Sequence, residues 1–207
     1  GVGERVLPRS ARRSEGVDCI SCHALPAPAG EAARMAGTLE SIDVPCRPWI
    51  VRELGTSEFC APCHDQHETV EQWRATQYAA DGIDCIDCHM PHRNGDTNQG
   101  RDHTLHGGHD LALVRRAVEL RARREGEKLV IEVENVGAGH HFPTDERARA
   151  SDVFWRPLGQ STWRWAYRFR SPYRDELGVS DTLLPAHEPR TIEVAGAPDG
   201  PLEVALF

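Results

Sequence analysis

Near Leu111 the texture of the chain changes, and from there apolar and charged positions begin to alternate. Val118, Leu120 and Ala122 take every second place, Leu129, Ile131 and Val133 do the same, and Arg124-Glu125-Gly126-Glu127 lies between the two runs. A period of two broken by a Gly-bearing polar stretch predicts a β-hairpin. Further strand-like runs stand at 152–156, 163–169, 190–195 and 202–207, with Gly, Pro or Asp clusters between them. Short strands at this spacing predict an antiparallel, β-sandwich-like domain over residues 113–207. Residues 16–112 read differently, because turn formers such as Pro26-Ala27-Pro28, Pro45, Pro48 and Asn94-Gly95-Asp96 leave little room for regular structure. The helix candidate there is 58–80, where Phe59, Val70, Trp73 and Tyr78 fall at helical spacings. Residues 1–15 carry Arg5, Arg9, Arg12 and Arg13 without apolar pattern and read as a solvated arm. The expected fold class is α+β, an irregular to helical domain followed by an antiparallel β domain.

Composition changes this picture in one respect. The 207 residues are 39% apolar, with three Tyr and five Phe, which is lean for a conventional core, so something other than side chains is expected to fill part of the interior. A formal net charge of -8 argues against a polyanion-binding surface, and nucleic acid is not an expected partner. No run approaches the roughly 18 apolar residues that a membrane-spanning helix needs. The start, Gly1-Val2-Gly3-Glu4-Arg5, lacks the apolar core of a signal peptide, so the chain reads as a processed or excised piece. Whether the last strand ends at Phe207 or continues is left open.

Cysteine placement supplies the chemistry. Six of the seven Cys form the pairs Cys19/Cys22, Cys60/Cys63 and Cys85/Cys88, and His23, His64 and His89 follow them directly. Two thiols separated by two residues can add to the two vinyl groups of one porphyrin, and the adjacent His is then carried beneath the ring as proximal axial ligand. Zinc sites also use paired Cys, but they do not require a His after every second one. A thioredoxin-type site would be single and follow a strand. Three covalently attached haems c are therefore expected, and their faces would supply the missing apolar interior. Haem is attached to such motifs outside the cytoplasm, so a periplasmic or extracellular location of bacterial or archaeal type is expected.

Eight His outside the motifs could serve as distal ligands. The run Asp102-His103-Thr104-Leu105-His106-Gly107-Gly108-His109-Asp110 places three imidazoles in a Gly-bearing loop that can fold back over a ring, and at least one ligand is expected among them. His140 follows Gly137-Ala138-Gly139, where glycines allow close backbone approach to a porphyrin. His67, His92, His106 and His141 are reserves, and His187, between Pro185 and Pro189, reads as structural. Met35 and Met90 are weaker candidates, Met90 being tied to the wrong side of its own haem. Cys46 is left over, and an inert buried thiol stands beside pairing with another chain or metal ligation.

The stretches Phe59-Cys60-Ala61-Pro62-Cys63-His64, Glu71-Gln72-Trp73, and Tyr78-Ala79-Ala80-Asp81-Gly82-Ile83-Asp84-Cys85-Ile86-Asp87-Cys88-His89-Met90-Pro91 resemble the paired-motif region of multihaem c-type cytochromes. The loop from Asp102 to Asp110, the segment Asn135-Val136-Gly137-Ala138-Gly139-His140-His141-Phe142-Pro143-Thr144, and the run from Asp181 to Pro185 extend the resemblance over most of the chain. Two departures are Asp145 where the pattern has Gly, and the larger number of haems in many relatives. The resemblance implies extracytoplasmic electron transfer through mostly bis-His haems, and it singles out His103, His109 and His140 as distal ligands. The implied roles are a carrier working with redox partner proteins, or a subunit docked to other cytochrome subunits or a membrane redox complex. An oxidoreductase with one open haem iron, acting on a small nitrogen oxide, hydroxylamine or peroxide, is the alternative.

Overall fold

The computed structural model describes residues 17–25, 29, 31, 34–39, 48–65, 68–144, 149–173 and 176–207. The arm at 1–15, Cys46 and His67 lie outside the described residues. The chain divides into two compact units, residues 1–56 and 57–207. The change of sequence texture near residue 112 thus lies inside the second unit.

The first unit opens with α1 (Cys19–His23) and continues into a small sheet. Here β1 (Ala24–Leu25) pairs antiparallel with β2 (Arg34–Gly37), and β2 pairs parallel with β3 (Trp49–Ile50). The Arg34 guanidinium lies 3.8 Å from the centre of the Trp49 ring, a cation–π contact across the β2/β3 pair.

In the second unit the expected single helix over 58–80 is three short ones, α2 (Ser57–His64), α3 (Thr69–Arg74) and α4 (Gln77–Ala80). The physical causes are local. Pro62 sits inside α2 and removes a backbone donor. Glu68 takes φ +61, which ends the helical path, and the Asp65 carboxylate then accepts from the backbone N–H groups of Val70 and Glu71 to start α3 afresh. The Thr76 hydroxyl donates to the Trp73 carbonyl at the end of α3. Next come α5 (Cys85–His89) and α6 (Leu111–Ala117), the latter capped by Asp110, which accepts from the N–H groups of Ala112 and Leu113.

The β domain follows the alternation. β4 (Val118–Glu125) and β5 (Lys128–Asn135) form the expected hairpin, closing at the Glu125/Lys128 pair with Gly126 at φ +58. β8 (Pro189–Ala195) pairs with β5 on its other side, giving the sheet order β4-β5-β8. In a second antiparallel sheet β6 (Ser151–Pro157) lies between β7 (Arg164–Phe169) and β9 (Leu202–Leu206). Leu129, Ile131 and Val133 of β5 and Ile192 of β8 join Val153, Trp155 and Phe169 of the second sheet in one buried cluster. Two antiparallel sheets around a shared apolar core, behind a short-helix region, make the fold α+β.

Candidate haem-binding site

Each motif sits on a short helix, and those of motifs 1 and 3 start at an Asp. Before motif 1, Asp18 caps α1: its carboxylate accepts from the Ser21 N–H at 2.9 Å and the Ser21 hydroxyl at 2.8 Å, which also holds the Asp18 carboxyl below its usual range. Before motif 3, Asp84 caps α5 and its own N–H donates to Asp87 at 2.9 Å. Residues three apart on a helix share a face, so each cap presents both thiols to one side with the His following. The Asp that precedes Cys19 and Cys85 was a readable capping signal.

Motifs 2 and 3 are bound to each other through Ser57, which is fully buried. Its N–H and hydroxyl both donate to Asp84 at 2.7 Å, and its oxygen accepts from the Cys85 N–H at 3.0 Å and the Cys85 thiol at 3.2 Å. Cys60, one turn along α2, hydrogen-bonds the Cys85 thiol, and chiefly for that reason the Cys85 thiol is held down at about 7 against the effect of burial. Burial pushes the Cys88 thiol up. The thiols of the two motifs therefore meet at Cys60 and Cys85.

His89 faces His140. The two imidazole centres are 6.2 Å apart and their planes 19° from parallel. Two metal–imidazole bonds of about 2 Å each, with the half-widths of two five-membered rings, fill such a gap. The tautomers agree with this use, because a carbonyl oxygen can only accept. His89 Nδ1 donates to the His106 carbonyl at 2.5 Å, and His140 Nδ1 donates to the His141 carbonyl at 2.7 Å, which leaves the unprotonated Nε2 of each ring for a metal. Burial holds His140 below the ordinary histidine range, so the neutral, ligating form is favoured. His23 repeats the arrangement in the first unit, its Nδ1 donating to the Ala36 carbonyl at 2.8 Å.

The segment carrying His140 is seated by close backbone contacts. A Cβ on Gly137 would stand 2.2 Å from the Arg116 carbonyl oxygen, and one on Gly139 would stand 3.2 Å from the Tyr78 ring and 3.5 Å from Trp73. The N–H groups of Val136 and Gly137 donate to the Ala117 carbonyl at the end of α6, and the His141 N–H donates to Gln72 of α3. Phe142 and Leu184 exchange both backbone hydrogen bonds. Glycine at 137 and 139 thus serves close packing against helices, whereas the sequence pointed to approach toward a porphyrin. His187 stacks on Tyr78 with ring centres 5.7 Å apart.

The three imidazoles of the 102–110 loop have separate fates. Both ring nitrogens of His106 face carboxylates, Asp110 at 2.5 Å and Asp102 at 3.2 Å, which raises its pKa and engages the ring in holding the loop. Its backbone carbonyl is the one that orients His89. His103 is exposed, with Nδ1 paired to the Arg101 carbonyl, and His109 is exposed beside Gly107. His64 ends α2 on the surface. His92 is half-buried, and its Nδ1 is buried without a hydrogen-bond partner, a polar atom that suits contact with a bound group. Ser57, Gln72 and Asn135 take part in ways to which the sequence assigned no role, although Gln72 and Asn135 stand in stretches that carry the resemblance. Their uncharged side chains carry no spacing signature.

Paired thiols with a following His, and an imidazole pair spaced for one metal between them, fit covalently bound haem c and define a multihaem c-type cytochrome, an electron-transfer protein. Residues 33–105 match the NapC/NirT cytochrome c family, N-terminal region. Among solved structures, the penta-haem cytochrome c552 from Thermochromatium tepidum is similar in fold, with a TM-score of 0.58 at 18% identity over 93% of this chain and 69% of that one. No curated protein matches the sequence. Among the described residues no helix is long and apolar enough to cross a membrane.

Proposed function

We propose that the chain is an extracytoplasmic trihaem cytochrome that passes electrons through closely spaced bis-His haems, as a carrier between redox partner proteins or as a subunit of a larger redox assembly. Cys19 and Cys22, Cys60 and Cys63, and Cys85 and Cys88 would hold the three haems, with His23, His64 and His89 as proximal ligands. His140 is the distal partner of His89, and His103 and His109 are the candidates for the other two irons. The haems supply a one-electron couple, and two imidazoles on an iron leave no coordination site for a substrate. The residues around His89 and His140 supply orientation: backbone carbonyls fix both tautomers, and the packed Gly137-to-Phe142 segment holds the half-buried His140 ring in place. Motifs 2 and 3, tied at Ser57, Asp84, Cys60 and Cys85, place two haems as neighbours for rapid exchange.

The observation that carries this reading is the 6.2 Å His89–His140 pair with both Nδ1 atoms bonded to carbonyls. Low-temperature electron paramagnetic resonance of the oxidised holoprotein, with carbon monoxide titration of the reduced form, tests it. Wholly low-spin ferric haem and no carbon monoxide adduct are expected. High-spin ferric haem or stoichiometric carbon monoxide binding would instead support an open iron and a small-molecule substrate. Expression with and without an export leader tests the location: haem attachment should require export.

A further inference from the structure

The Asn135 side chain is fully buried at the end of β5, where the chain leaves the sheet toward His140. Its side-chain polar groups are aimed at the loop that follows and at the segment around Leu184. The amide nitrogen donates to the His140 carbonyl at 2.9 Å and to the Leu184 carbonyl at 3.1 Å, and the amide oxygen accepts from the Ala138 N–H at 3.0 Å. Its backbone N–H donates to the Glu188 carbonyl and its own carbonyl accepts from the His187 N–H. One amide therefore closes the five-residue path from 135 to 140 into a ring and locks that ring to the segment at 184, which itself pairs with Phe142 on the far side of His140.

We infer that Asn135 is the positioning residue for the distal imidazole: by bonding the His140 backbone carbonyl it sets the depth at which the His140 ring meets the iron held by His89. This inference rests on the reading of His140 as a ligand. Only a group with two donors and one acceptor in a planar fork satisfies these three partners at once. Aspartate, of the same shape, would keep the bond from Ala138 but turn oxygen lone pairs toward two carbonyl oxygens, so it expels the loop where asparagine holds it.

The test compares holoprotein variants by ferric spin state and by carbon monoxide bound per chain. His140→Gly should open one iron, giving one high-spin haem and one carbon monoxide equivalent, both reversed by added imidazole. Asn135→Asp should reproduce that signature, imidazole rescue included, and Asn135→Ser, which keeps one short donor, should give a smaller high-spin fraction. Phe169→Ala, a truncation in the β core that removes none of the hydrogen bonds of Asn135, should lower the unfolding midpoint while all haems stay low-spin, which separates positioning from general destabilisation. If His140→Gly opens an iron and both Asn135 variants remain wholly low-spin, the inference is overturned and the ligand assignment stands. If His140→Gly itself stays low-spin, the ligand assignment fails and the inference fails with it. Should Asn135→Asp not accumulate as holoprotein, Asn135→Ser alone decides on the same readout.

Discussion

Replacing Gly137 by alanine sets two opposite effects against each other. Where the backbone tolerates a Cβ, Gly→Ala stabilises by about 0.4–1 kcal/mol because the unfolded chain loses freedom. At Gly137 the new Cβ would lie 2.2 Å from the Arg116 carbonyl oxygen and 3.1 Å from its carbonyl carbon, and these are backbone atoms that no rotamer change can withdraw. Relief requires the loop to lift from the end of α6, which strains packing by about 1–3 kcal/mol. It also weakens the bonds from Val136 and Gly137 to the Ala117 carbonyl, worth about 1 kcal/mol each. The net expectation is a loss of about 2–4 kcal/mol. With a urea slope of about 2 kcal/mol/M the midpoint should fall by about 1–2 M. Urea titration of the holoprotein followed by far-ultraviolet circular dichroism measures this, with Gly108→Ala as control, because a Cβ there meets nothing within 4 Å. A Gly137→Ala midpoint equal to or above that of Gly108→Ala would refute the close-contact argument.

Phe169 is completely buried between the sheets, and Phe169→Ala should cost about 3–5 kcal/mol in the same titration; a loss below 1 kcal/mol would contradict the shared core. Asp84→Ala removes both bonds from Ser57 and leaves that fully buried hydroxyl short of its acceptor, for an expected cost of about 2 kcal/mol, and should raise the proportion of chains lacking haem at Cys85 and Cys88 by peptide mass mapping; full loading with unchanged stability would count against the Ser57–Asp84 tie. The Arg170 guanidinium, and next the Tyr173 N–H, hold Glu176 at about 2, below its unfolded value of about 4.3. The stability contributed is present above the unfolded value and disappears as pH falls from about 4 toward 2. The stability difference between wild type and Glu176→Gln should therefore be constant near neutrality and vanish across that window. A difference indifferent to acid would remove the ion pair from the account.

The Cys pairs with their following His stand out in the sequence because thioether chemistry dictates residue types at fixed spacing, and no packing context alters that spacing. The strands were legible because β5 turns Leu129, Ile131 and Val133 into the shared core, so apolar residues repeat every second place. The helix over 58–80 was misjudged because apolar spacing survives breaks in the backbone: Pro62, the positive φ of Glu68 and the Asp65 cap interrupt the helix without disturbing the positions of Val70 and Trp73. The roles of the loop imidazoles were illegible for a different reason. What His106 does depends on Asp102 and Asp110 closing on its ring from both sides, and what His89 does depends on His140, which only the fold brings within 6.2 Å. The roles of Ser57 and Asn135 were illegible because a buried hydroxyl or amide acquires its function from three-dimensional partners alone.

Intact mass spectrometry of the exported, denatured holoprotein shows directly how many macrocycles are bonded to Cys19/Cys22, Cys60/Cys63 and Cys85/Cys88. The predicted result is the mass of the polypeptide plus three haems, resistant to acid–acetone extraction. A bare polypeptide mass, or fewer than three added haems on a fully exported chain, would contradict it.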